Sequence, residues 1–281
     1  MSGAFAARAS NAGLSLLWVD AVDYGRRLLL NGKPMPWDDV GAYLAFTRRL
    51  QSLLESDVLS LNLGAFFRDR VAQTPALASA MGEKRRATFP LRTMLADGSA
   101  RERLVELATA VTASYPGLPL LLELPAPADW LCAAWQAAKK GPAPEIDTEI
   151  AETAAMYIAD FLRCFAGTPV AGLLLHAGAA PLDPAACQPL ANVAAHYRWS
   201  FGARAEEPGH GFDFVVADRP VAGCLTGLSH RLGAGPAPGR PANTFLAVQV
   251  DAEAEPNAVL EQLSALRDAA PPTPIRSLSC P

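Results

Sequence analysis

Cysteine is scarce in this chain of 281 residues, with five in all, at Cys132, Cys164, Cys187, Cys224 and Cys280. An odd and scattered set does not build a disulfide framework, so reduced thiols in a cytoplasmic protein are expected. Long apolar runs are also missing. Nothing reaches the ~18 residues that a membrane span needs, and the opening MSGAFAARASNAG lacks the extended apolar core of a secretory signal. Basic charge is not in excess: 24 Lys and Arg face 28 Asp and Glu, a net charge of -4. A general nucleic-acid binder needs a basic face to neutralise phosphates. The one compact basic cluster, Lys84, Arg85 and Arg86, reads as a solvated loop.

Several local motifs are absent too. There is no P-loop, no G-x-S-x-G nucleophile elbow, no HExxH, no CxxC and no His-x-His pair. The stretch GAGPAPG neither follows a strong strand nor opens a helix, as a dinucleotide fingerprint must. Neither a metal site nor a cofactor is therefore expected.

What the sequence does have is a rhythm. Short apolar runs, several ending on a lone acid or histidine, alternate with helical patterns: LSLLWVD (14–20), LPLLLEL (118–124), VAGLLLH (170–176), FDFVVAD (212–218) and TFLAVQVD (244–251). Weaker runs at 57–63, 199–203 and 275–278 bring the number to eight. Hydrophobic residues make up 51% of the chain, enough to bury both faces of a parallel sheet. The expectation is an α/β fold of one domain over residues 1–281, a (β/α)8 TIM-type barrel.

Between the first two runs, Asp38 or Asp39 can cap a helix whose face carries Val40, Tyr43, Leu44, Thr47, Leu50 and Leu54. Further helices are expected over 101–115, over 130–139, from Asp147 through Phe165, over 184–197 and over 219–232. A last one starts at Pro256, with Val259, Leu260, Leu263 and Leu266 on one face. Only AEEPGHG separates the fifth run from the sixth, too little for a crossover helix, so the barrel should be irregular around strands 5 and 6. The segment GAGPAPGRPAN reads as a lid-like loop.

Parallel barrels place their chemistry at the C-terminal ends of the strands. That rule gathers Asp20, Asp23, Tyr24, Asn62, Glu123, His176, Arg204, Asp218, Arg219 and Asp251 as mouth residues. Glu123, His176 and Asp218 are the candidate proton-transfer groups, and Arg204 and Arg219 offer bidentate forks for a carboxylate. Asp20, Tyr24, Asn62 and Asp251 complete the substrate-binding set. Each has a structural alternative: Asp218 can cap the next helix, and His176 can be a satisfied strand-end histidine. Glu123 is the most pointed, because a carboxylate inside LLLELPAP must find a partner or shift its pKa. Trp18, Trp37, Trp130 and Trp199 can fill the core or stack on a planar ligand.

PLLLELPAPADWL resembles the strand and proline-rich turn of the uroporphyrinogen decarboxylase and cobalamin-independent methionine synthase superfamily. The helix before VAGLLLHAG and the segment TFLAVQVDAEAEPNAVLEQLSALR are similar to its later βα units. The resemblance implies a barrel that is either a metal-independent decarboxylase using arginine and aspartate or a methyltransferase with a thiolate-rich zinc site. No His-x-Cys pair is present, which favours the first branch. The expected function is thus acid/base chemistry on a small-molecule carboxylate, by a decarboxylase or related carbon-carbon lyase. A non-catalytic barrel that serves as a partner subunit and a zinc-dependent methyltransferase are the alternatives. Homodimer formation is left open.

Overall fold

The computed structural model describes residues 3–12, 15–138, 141–142, 144–178, 182–206 and 209–269. Eight parallel strands form a nearly closed barrel: β1 (Leu17–Asp20), β2 (Leu59–Asn62), β3 (Leu120–Pro125), β4 (Val170–His176), β5 (Ser200–Arg204), β6 (Phe214–Ala217), β7 (Leu225–Arg231) and β8 (Thr244–Gln249). The sheet runs from β1 through β8, β7, β6, β5, β4 and β3 to β2, each neighbour parallel to the next. At the remaining seam, side chains do part of the pairing. Asp57 donates its N–H to the Leu17 carbonyl at 2.9 Å. Its carboxylate takes the Leu17 N–H at 2.7 Å, and Ser56 Oγ takes the Val19 N–H at 3.0 Å.

Helices α2 (Val22–Leu30), α3 (Val40–Leu54), α4 (Leu63–Gln73), α5 (Pro75–Gly82), α6 (Phe89–Leu95), α7 (Gly98–Ser114), α8 (Pro127–Ala137), α9 (Thr148–Leu162) and α10 (Gln188–Tyr197) lie between β1 and β5. Local chemistry sets their starts: Asp39, Asn62, Asp97 and Asp147 each accept a backbone N–H of the first turn. Among the described residues no helix connects β5 to β6, β6 to β7 or β7 to β8, so the expected irregularity is present and extends further than expected. α11 (Pro256–Asp268) then packs Val259, Leu263 and Leu266 against Leu228, Leu246 and Val248.

The barrel interior is filled from below. α1 (Ala4–Ala12), which the sequence pattern did not reveal, closes the N-terminal end of the strands with Phe5, Ala6 and Ala9. The Phe5 ring meets Phe214 at 4.8 Å and Phe245 at 5.8 Å between centroids. Gly3 lies so close to β5 that a Cβ there would be 2.3 Å from the Ser200 nitrogen. Gly202 and Gly227 likewise leave room for aromatic rings: an added Cβ would stand 2.2 Å from Phe214 and 2.6 Å from Phe245 respectively.

Two expectations are corrected, and a third falls outside the described residues. The stretch 219–232, expected as a helix, contains bends and then β7, in which inward Leu225 and Gly227 alternate with outward Thr226 and Leu228. The two-residue period decides that element, because it buries one face in the barrel and the other under α11. The run at 275–278 lies outside the described residues, and β7 stands as the eighth member of the sheet without it. Leu260 is 40% exposed, since the buried face of α11 runs through Val259, Leu263 and Leu266.

Candidate active site at the barrel mouth

Alternation along the strands sends Trp18 and Asp20 of β1, Leu121 and Glu123 of β3, and Leu174 and His176 of β4 to the barrel interior. The lower member of each pair joins the aromatic and aliphatic layer above α1. The upper members are charged or titratable, and Arg204 at the end of β5 joins them. His176 and Arg204 are register neighbours across β4 and β5, as are Asn62 and Glu123 across β2 and β3.

Two pairs organise this layer. His176 Nε2 donates to Glu123 Oε2 at 2.8 Å, and Arg204 Nη1 donates to Asp20 Oδ2 at 3.3 Å. To reach β1, the guanidinium lies over the Trp18 ring, 5.9 Å from its centroid. Trp18 is therefore a buried floor for the cluster, and core filling is its role. Arg204 Nε is buried without a hydrogen-bond partner. A buried donor without an acceptor is costly to the fold and available to a ligand.

The carboxylates are driven apart. Burial acts to raise the pKa of Glu123, but the His176 hydrogen bond, the His176 charge and Arg204 outweigh it and hold the group well below the ordinary carboxylate range. The Ser60 hydroxyl, one inward position below Asn62 on β2, adds to that lowering. Asp20 moves the other way: burial and the neighbouring Glu123 charge raise its pKa above 3.8, against the opposing influence of Arg204 and His176. Two nearby acids with opposite shifts form the pattern by which a site separates proton donor from acceptor.

Two cavities open onto this cluster. The first, about 260 Å³, sits at the β1–β2 seam and is lined by Asp20, Ser60, Asn62, Glu123 and His176, with Trp37 and Tyr43 among its outer walls. The second, about 940 Å³, lies between α4, α5 and α8, and it shares Asn62, Ala65, Arg68 and His176 with the first. Asn62 has a double role, since its side chain also caps α4 through the Ala65 N–H at 2.8 Å.

Asp20, Asn62, Glu123, His176 and Arg204 thus come together as expected. The other candidates do not. Asp218 and Arg219 are exposed in a bend after β6, with no following helix for Asp218 to cap. Asp251 pairs with Arg231 at the exposed rim of β7 and β8. Tyr24 turns into the packing between α2 and α11 and is fully buried. Asp23 borders the smaller cavity and pairs with Arg26 at 3.4 Å. Sequence reasoning missed Ser60 and Arg68. The two-residue spacing of Ser60 from Asn62 could have revealed the first, and nothing in GAFFRDR marked the second.

Among the described residues, no group of three or more His, Cys, Asp and Glu side chains is arranged to hold a metal ion. The described cysteines line neither cavity, and burial pushes the Cys187 thiol up to about 12. No described helix is long and apolar enough to cross a membrane. Neither a scan against protein-family models nor a comparison with curated proteins gives a match for this chain.

Proposed function

We propose that this barrel is an enzyme acting by acid/base chemistry on a carboxylate-bearing organic substrate, through decarboxylation or a related carbon-carbon lyase step. The observation that carries this reading is the opposed pair of acids, Asp20 and Glu123, held by Arg204 and His176 beside a cavity at the C-terminal mouth. The layout resemblance to the uroporphyrinogen decarboxylase superfamily supplies the reaction class.

In the proposed step the bond between the substrate carboxylate and its neighbouring carbon breaks, the electron pair stays on that carbon, and CO2 leaves. Asp20 retains its proton to higher pH than an ordinary aspartate and delivers it to the carbon. The Asp20 carboxylate so formed already faces Arg204 at 3.3 Å, and solvent restores its proton. Glu123 fixes the His176 ring by a short hydrogen bond, and the unpartnered Arg204 Nε is the donor offered to a substrate oxygen. Arg204 keeps the carboxylate-binding role expected of it together with Arg219, while Asp20, expected among the substrate-binding residues, takes the proton-transfer role expected of Asp218.

A second reading, a barrel that has lost its chemistry and serves as a partner subunit, is favoured by one observation: the four side chains are already paired with one another, Glu123 with His176 and Asp20 with Arg204. Glu123→Gln separates the two. Glutamine keeps volume and reach but cannot ionise. In the enzyme, turnover per folded molecule should fall on the order of 10²-fold or more, measured as CO2 release with folded fraction checked by circular dichroism. Turnover near the parent's would refute the acid/base site.

A further inference from the structure

The larger cavity has no role in that chemistry, yet it is too large to be a packing defect. Protein interiors are close-packed, with few voids bigger than a water molecule. A recess of about 940 Å³ is at the upper end of small-molecule pockets, which run to roughly 1,000 Å³. Its space exists because α4 and α8 face it with Gly64, Ala65, Ala72, Ala133, Ala134 and Ala137, none of which projects far. Larger apolar side chains, Phe67, Val71, Met94 and Trp130, form its buried floor. Gly64 also permits a close approach at the entrance: a Cβ there would be 2.8 Å from the Pro125 ring. The walls are therefore mainly apolar away from the acid/base cluster, where Ser79 and Gln136 are the polar exceptions, and polar where Asn62, Arg68 and His176 adjoin that cluster.

We propose that the substrate is amphiphilic: a carboxylate head at the Asp20, Glu123, His176 and Arg204 cluster, and an extended apolar arm lying in the cavity between α4, α5 and α8. This rests on the acid/base reading of the mouth and adds to it the class of molecule. One ligand spans both spaces because Asn62, Ala65, Arg68 and His176 are walls of both. Chain length would then be read by apolar burial alone, since the far walls offer few polar groups for specific contacts. A purely polar acid would leave that recess filled with poorly held water.

Calorimetric titration of the full chain with straight-chain saturated carboxylates, from butanoate upward and below micelle-forming concentrations, tests this. Affinity should rise by about fourfold per added methylene, then level off when the arm fills the cavity. Ala133→Phe and Ala72→Phe, both at exposed positions on the cavity wall, should flatten that rise. Arg204→Gln and His176→Gln should weaken every member of the series by a common factor. A series with no length dependence, in which Arg204→Gln still weakens the short acids, overturns the amphiphilic substrate and leaves the acid/base site standing. A rise with length that neither head variant affects overturns the reading of the cluster and the inference with it. A rise that survives both phenylalanine variants places the arm elsewhere and overturns the assignment of this cavity.

Discussion

Strands β1 to β5 and strands β5 to β8 belong to one parallel sheet but are stabilised differently. The first set is wrapped by helices α2 to α10 and carries all four members of the charged cluster. The second set has no connecting helix among the described residues, and its interior is filled by Phe214, Val216, Leu225 and Phe245 over glycines at 202 and 227. One side of the barrel thus supplies polar strand ends and the helical walls of two cavities, while the other supplies a packed hydrophobic buttress. In a barrel whose mouth is formed by the loops after each strand, short loops leave little with which to build a site. The difference teaches that chemistry and rigidity are segregated by side of the barrel in this molecule.

The largest effect should come from breaking the buttress. Phe214 is fully buried and touches Phe5 and the space left by Gly202. Phe214→Ala should cost about 3–5 kcal/mol of stability, measured by denaturant unfolding, with turnover per folded molecule little changed. A stability loss below about 1 kcal/mol would show that α1 and the aromatic layer do not hold that half together.

How far the sequence revealed this division depends on the reach of each interaction. Glu123 stood out because a charge inside LLLELPAP has no local means of being satisfied. Its partner lies 53 residues away, and Asp20 lies 184 residues from Arg204, so the pairing itself is a property of barrel closure that no window along the chain contains. Asp218 ends an apolar run just as Asp20 does. The two differ only in the next element, a helix after Asp20 and an exposed bend after Asp218. Strand β7 was legible only as far as its period of two could be distinguished from a helical one across LTGLSHR, where glycine and leucine suit neither element decisively. The larger cavity left no trace at all, because alanine on a helix gives the same signal whether it packs a neighbour or faces empty space.

Titration probes the charged half without touching the other. Glu123, with its lowered pKa, contributes stability that is present above its ordinary value of 4.5 and lost as pH falls through the folded value. Glu123→Gln should therefore melt lower than the parent at pH 7, and the two melting curves should converge on acidification below 4.5. Asp20 has the opposite sign. Its raised pKa means that its stabilising contribution is complete below 3.8 and is lost as pH rises through the folded value. Asp20→Asn removes that loss and should melt above the parent at pH 7, while turnover falls. A site held for function and strained by its own charge predicts this combination. If Asp20→Asn melts lower at pH 7, the ionised aspartate is a structural partner of Arg204 and the donor role assigned to it is wrong.

The smallest effect tests whether the division between halves is real. Asp218 and Arg219 carry the same residue types as the site, at the end of a strand of the same barrel, but they are exposed and line neither cavity. Asp218→Asn and Arg219→Gln should each change stability by no more than about 0.5 kcal/mol, as surface substitutions do. Turnover should be that of the parent, because neither side chain lines a cavity that opens onto Glu123 and His176. If either substitution lowers turnover by about tenfold with stability unchanged, that bend folds over the mouth during catalysis. The buttress half would then contribute to the chemistry, and the segregation of function from rigidity would fail at the end of β6.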